Sequence, residues 1–226
     1  MLAFLPSLLT VVLFACGAFL LRELRGKEYS NSLLATFVWG MAMVIPVTVF
    51  KLVAMAILSP GEEMTVPDMV SVACLQAAVE TVLLFLALYA DTHRARLYRR
   101  RSDGVLIALF LYGGLALADT LYQAVALGDH NTWMIYPLLP AYLLAGGLMG
   151  FFYGRTKDFP VPVVFNNGCA ILLPGVWIAA MRFAIVAQIN GVSWAGWLLW
   201  PLTGIGVLGS ALLIFSALGE QRKAAK

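Results

Sequence analysis

Lys51, Glu80, Asp119 and Arg182 are ionisable residues set inside otherwise apolar stretches. In a membrane each of them costs at least ~2.5 kcal/mol unless it is paired or hydrated. Two acids that share a proton can work as a general acid and base. Two acids and two cations at similar depth can instead form a buried charge cluster that faces the bundle axis or a water-filled cavity. The plainer alternative is a pair of ion pairs that fix helix register, with Lys51 or Arg182 reaching outward to the headgroups. Metal-assisted hydrolysis lacks an adequate ligand set. His93 and His130 fall in connections on opposite sides of the membrane. Cys16, Cys74 and Cys169 are dispersed in apolar runs and read as small packing residues. No metal and no cofactor is therefore expected.

The elements that must position these groups follow from composition. The chain has 226 residues, 62% hydrophobic and 12% charged, with a mean hydropathy of +0.88. A soluble domain carries about 25% charged residues, so this chain has too little polar surface to cover a water-soluble globule. Secreted disulfide scaffolds, disordered tails and nucleic-acid-binding domains are excluded. What remains is an all-α polytopic membrane bundle in a single transmembrane domain covering 1–226. A bilayer core needs about 20 apolar residues per helix, and about seven such stretches are present. They are predicted at 2–21, 32–58, 66–90, 105–127, 133–153, 161–188 and 193–217, the sixth interrupted near its start by Phe165-Asn166-Asn167-Gly168. None alternates with period two, which speaks against a β-barrel.

Apart from Lys51 and Arg182, every Lys and Arg of the chain lies in alternate connections. These are Arg22, Arg25 and Lys27, then Arg94, Arg96, Arg99, Arg100 and Arg101, then Arg155 and Lys157, and finally Arg222, Lys223 and Lys226. The opposite connections, 59–66, 128–132 and 188–191, have none. The positive-inside rule makes the basic side cytoplasmic, the amino terminus outside and the carboxyl terminus inside. The first apolar run has its positive charges after it rather than before it, so it reads as a span and not as a signal peptide. With that topology, Lys51 and Arg182 lie about a turn and a half below the outer surface. Asp119 lies about two turns below it, and Glu80 lies near the middle.

Several segments, in order, resemble the PrsW-type family of glutamic intramembrane proteases, relatives of the CAAX prenyl endopeptidases. The family's Glu-Glu-x-x-Lys is similar to Glu80-Thr81-Val82-Leu83-Leu84, and its basic loop with Asp-Gly to Arg99-Arg100-Arg101-Ser102-Asp103-Gly104. Its Gly-Phe-Ala-x-x-Glu-Asn resembles Gly114-Leu115-Ala116-Leu117-Ala118-Asp119-Thr120. Its histidine-bearing helix with a Gly-aromatic end resembles the stretch from Tyr142 to Gly150-Phe151-Phe152-Tyr153-Gly154, and its His-Gly-x-x-Asp resembles Pro174-Gly175-Val176-Trp177-Ile178. The resemblance covers a core of about 46–182. It implies a protease-shaped cavity, but the chemistry departs from the pattern. Thr81, Leu84, Asp119, Tyr142, Pro174 and Ile178 stand where the family has Glu, Lys, Glu, His, His and Asp.

The resulting expectation is a non-catalytic PrsW-like subunit, a binding or assembly partner within a membrane complex of a prokaryotic inner membrane. The first alternative is an active glutamic protease that uses Glu80 and Asp119, with Tyr142 or Lys51 serving the oxyanion. The second is a small-solute or proton-coupled transporter lined by the four charges, although no internal repeat of the transporter kind is evident. Gly146, Gly150 and Gly154, four apart, form a ridge that lets another backbone approach. Gly113 and Gly114 read the same way. Trp194, Trp197 and Trp200 read as an aromatic belt or a contact surface. Arg94, Arg96, Arg99, Arg100 and Arg101 either bind anionic headgroups or simply set topology. The expected partners are membrane lipids and a membrane protein or a second copy of the chain.

Overall fold

The computed structural model describes residues 5–58, 64–94, 100–127, 136–156 and 162–225. Among them the regular elements are all helices: α1 Leu5–Arg25, α2 Lys27–Ala42, α3 Val44–Leu58, α4 Val66–Arg94, α5 Arg101–Leu127, α6 Leu138–Arg155, α7 Val163–Ile189 and α8 Ser193–Ala225. Five stretches are long and apolar enough to cross a bilayer: α2 with α3 over Lys27–Ala54, then the bulk of α4, α5, α7 and α8. The chain is thus an all-helical integral membrane protein. His130, Arg96, Arg99, Lys157 and Lys226 lie outside the described residues, as do the side chains of His93, Arg94, Arg222 and Lys223.

Local chemistry sets the ends. Gly26 alone joins α1 to α2, at φ 93, and Gly191 sits between α7 and α8 at φ 79. Both are left-handed conformations that a side chain disfavours. At the start of α4, Thr65 N–H and Thr65 Oγ1 both donate to Asp68 Oδ2, at 3.0 and 2.5 Å, and Asp68 N–H returns a 3.5 Å bond to Thr65 Oγ1. This is a capping box. Pro67 fits there because its missing N–H falls in the first turn, where that donor has no intrahelical partner.

One predicted span is two helices. The second apolar stretch begins earlier, at Lys27, and breaks at Met43 between α2 and α3. Pro46 accounts for the break, since it cannot donate to the Ala42 carbonyl and its ring crowds that carbonyl. The Asn166-Asn167-Gly168 segment has the opposite outcome. The α7 helix runs unbroken through it from Val163, because two Asn near the start of a 27-residue helix cost only a few tenths of a kcal/mol each in propensity and Gly168 about 1 kcal/mol.

The α5 helix is buried along nearly its whole length, from Ser102 to Leu117 and again at Asp119 and Thr120. It packs on α6 and α2, and α4 pairs with α7. The Gly146/Gly150/Gly154 ridge faces α5. A Cβ at these positions would meet Tyr112 and the Ala108 carbonyl, then the Gly104 carbonyl, then the Arg101 carbonyl. The ridge therefore serves packing within the chain and is covered. Exposed apolar side chains are spread over the outward faces of several helices, among them Phe19 on α1, Ile45 on α3, Val164 and Val176 on α7, and Trp197 and Phe215 on α8, each more than 60% exposed.

Candidate functional site

The four intramembrane charges meet. Lys51 comes from α3, Glu80 from α4, Asp119 from α5 and Arg182 from α7, with Tyr142 added from α6. Arg182 Nη2 lies 2.5 Å from Glu80 Oε2 and 3.7 Å from Asp119 Oδ2. Lys51 Nζ lies 3.4 Å from Asp119 Oδ1 and 3.6 Å from Glu80 Oε2. Each acid thus faces both cations. Tyr142 O–H donates to Asp119 Oδ2 at 2.6 Å and accepts from Arg182 Nη2 at 2.7 Å, giving a chain Asp119–Tyr142–Arg182–Glu80. Glu80 and Asp119 are fully buried, and Arg182 is 8% exposed. Neither cation reaches outward to the headgroups: Lys51 also points inward, with its side chain 11% exposed.

Neighbouring bonds hold these helices in register. Gln76 Nε2 donates to the Lys51 carbonyl at 3.5 Å, tying α4 to α3, and Trp177 Nε1 donates to the Ala141 carbonyl at 3.0 Å, tying α7 to α6. Glu80 Oε1, Arg182 Nε and the Tyr112 hydroxyl are buried without a hydrogen-bond partner. A cavity of about 280 Å³ adjoins the cluster. Lys51, Asp119 and Arg182 line it, together with Gln76 and Gln123.

In chemical terms the site is balanced, with two carboxylates against two cations. The short contacts to Arg182 and Tyr142 occupy Glu80 Oε2 and Asp119 Oδ2, while Asp119 Oδ1 faces Lys51 and Glu80 Oε1 is unpartnered but buried. Among the described residues no three His, Cys, Asp or Glu side chains gather in a way that could hold a metal ion.

A second buried network escaped the reading of the sequence. Asp103 is fully buried at the start of α5. Its Oδ1 accepts from Arg25 Nη2 at 3.2 Å, the Tyr29 hydroxyl at 3.1 Å and Gln221 Nε2 at 2.8 Å, while Oδ2 accepts the Arg100 N–H at 2.8 Å. Gln221 also donates to Ser102 Oγ at 2.9 Å. These bonds gather α1, α2, α5 and α8 at one end of the bundle. The missed signal was the spacing Arg100-x-x-Asp103, which places an acid where it can cap its own helix. Asp103→Asn keeps an acceptor but removes the charge facing Arg25. It is expected to cost about 1–2 kcal/mol, read as a lower thermal midpoint in detergent with the helical content retained.

The remaining predicted residues fall as follows. Arg101 stacks on the Phe151 ring at 4.3 Å and Arg155 lies over the same ring at 5.6 Å, whereas Arg100 is exposed. Cys16 and Cys74 are free and exposed, and Cys169 is free and half-buried. Trp194, Trp197 and Trp200 are exposed. No protein-family profile, curated protein or solved structure matches this chain.

Proposed function

We propose that the chain is a PrsW-like membrane protein in which a buried ion-pair clamp occupies the place of a protease centre. It works as a non-catalytic binding or assembly subunit within a membrane complex of a prokaryotic cytoplasmic membrane. The observation that carries this reading is the balance of the cluster, in which both carboxylates are held by both cations and Tyr142 covers Asp119. Adding α1 and α6 to the apolar stretches gives about seven crossings. An outside amino terminus and a cytoplasmic carboxyl terminus are supported by the one-sided distribution of Lys and Arg. They are supported further by the Asp103 network, which gathers the basic end of α1 and the end of α8 around the start of α5. With the glycine ridge covered, the exposed apolar faces of α1, α3, α7 and α8 are the surfaces offered to a partner or to lipid. Arg100 and Arg101 stand near anionic headgroups on this reading.

The test is cleavage of a reconstituted membrane-protein substrate by wild type and by Glu80→Gln. The expected result is no cleavage by either. Cleavage by wild type that is lost in Glu80→Gln would replace this reading with an active glutamic protease. One observation favours that second reading: the cavity brings open space to Asp119. Purification from native membranes in mild detergent is expected to bring down a companion in fixed stoichiometry. Recovery of a lone monomer would count against the assembly role.

A further inference from the structure

The cavity beside the charge cluster is built asymmetrically. Its polar floor carries Lys51, Arg182 and Asp119, whereas Glu80 is fully buried and does not line it. The charges facing the cavity are therefore two cations against one carboxylate. The two cations are not held alike. Arg182 Nη2 is engaged at 2.5 Å by Glu80 and at 2.7 Å by Tyr142. Lys51 Nζ has longer contacts, 3.4 and 3.6 Å, against about 2.7–2.9 Å for a full charge-assisted bond. An ammonium has three donors, so Lys51 retains capacity to bind an anion entering from the cavity. Asp119 offers such an anion little repulsion, because Lys51 faces one of its oxygens while Tyr142 and Arg182 face the other.

Above the floor the walls are mostly apolar, with Leu52, Val72, Leu138, Ile185, Val186 and Ile189, interrupted on α5 by Tyr122 and Gln123. The apolar residues come from the ends of α3, α6 and α7 and the first turns of α4, at the opposite end of the bundle from the Asp103 network. At about 280 Å³ the cavity is at the lower end of small-molecule sites, which run from about 300 Å³ upward. That volume suits one small head and part of a single chain rather than the head and two chains of a phospholipid. We propose that this cavity binds a single-chain amphiphile with a monoanionic carboxylate head. The head engages the Lys51 ammonium and the chain lies along the apolar wall. Lys51 plays the role of a binding residue here, and the inference holds whether or not the protein cleaves peptides, because it is read by binding alone.

The experiment measures radiolabelled octanoate bound by the protein in lipid nanodiscs, against empty nanodiscs, with octanol, octyltrimethylammonium and octyl phosphate as competitors. Saturable octanoate binding is expected, displaced poorly by octanol and not at all by the cation. Lys51→Met is expected to weaken it about tenfold or more, and Lys51→Arg to restore most of it. Ile185→Trp fills the cavity without touching a charge and is expected to abolish binding with the thermal midpoint preserved. The proposal is overturned by equal displacement with octanol, by better displacement with octyl phosphate, by absence of saturable binding, or by full binding in a folded Ile185→Trp protein.

Discussion

Arg182→Met is expected to destabilise the bundle by ~3–5 kcal/mol, the cost of leaving a buried charge without its partner. Arg182 makes the two shortest contacts of the cluster, to Glu80 at 2.5 Å and to Tyr142 at 2.7 Å. Without it, two buried carboxylates share Lys51, whose contacts are 3.4 and 3.6 Å. Hydrogen bonds between helices in membranes are often worth less than about 1 kcal/mol, because the unfolded state in the membrane finds other partners. That discount does not rescue this variant. What is lost is compensation of a charge at a fully buried position: Glu80 is fully buried and, unlike Asp119, does not line the cavity.

The sign of the double variant separates a clamp from a loose collection of charges. In Glu80→Met/Arg182→Met the remaining Lys51, Asp119 and Tyr142 still balance, with the 3.4 and 2.6 Å contacts intact. Replacing a whole buried ion pair by apolar groups is often neutral or stabilising. The double variant is therefore expected to be more stable than Arg182→Met by at least ~2 kcal/mol, and the coupling, which also subtracts the cost of Glu80→Met alone, is larger still. Reversible unfolding in bicelles measures all four corners of the cycle. An Arg182→Met protein as stable as wild type would remove the clamp from the account of this site.

How far the sequence foretold this site depends on what an apolar helix reveals. Ionisable residues inside apolar runs stand out, and their depth follows from counting turns, so the level of Lys51, Glu80, Asp119 and Arg182 was readable. Their orientation was not. A span that is apolar all round gives no preferred face, so whether Lys51 and Arg182 turn inward or run to the headgroups is decided by the neighbouring helices. The structure turns both inward, onto acids contributed by α4 and α5. Asp103 illustrates the converse. It follows Arg99-Arg100-Arg101 and stands just before the predicted span at 105–127, but α5 begins at Arg101 and carries it into the interior. The break at Met43 was signalled by Pro46 and was still missed, because the apolar run continues across it. The glycines announced close packing, but which helix approaches them depends on the fold: α5 for Gly150, α2 for Gly114.

That last contact carries the second large expectation. Gly114→Val is expected to cost ~3 kcal/mol or more, at or beyond the upper end for overpacking. A Cβ at Gly114 would run into the Phe37 carbonyl and the Met41 nitrogen of α2, and a Cβ at Gly40 would run into the Leu111 carbonyl of α5. The obstacles are backbone atoms on both sides, so no rotamer change relieves the clash and the two helices must separate. Separation uncovers Phe37 and Leu111 and disturbs the edge-on contact of Phe14 with Phe110, at 5.0 Å between centroids. Gly204 is the control. It lies within α8 with nothing within 4 Å of its would-be Cβ, so Gly204→Ala is expected to be neutral or to gain up to ~1 kcal/mol of helix propensity. If both variants shift the thermal midpoint alike, glycine is being read as a propensity effect and the close approach of α2 to α5 is wrong. If Gly114→Val alone falls, even Gly114→Ala should follow it part of the way. Combining Gly40→Ala with Gly114→Ala should then cost less than the sum of the two, because helices already forced apart by one methyl have room for the other.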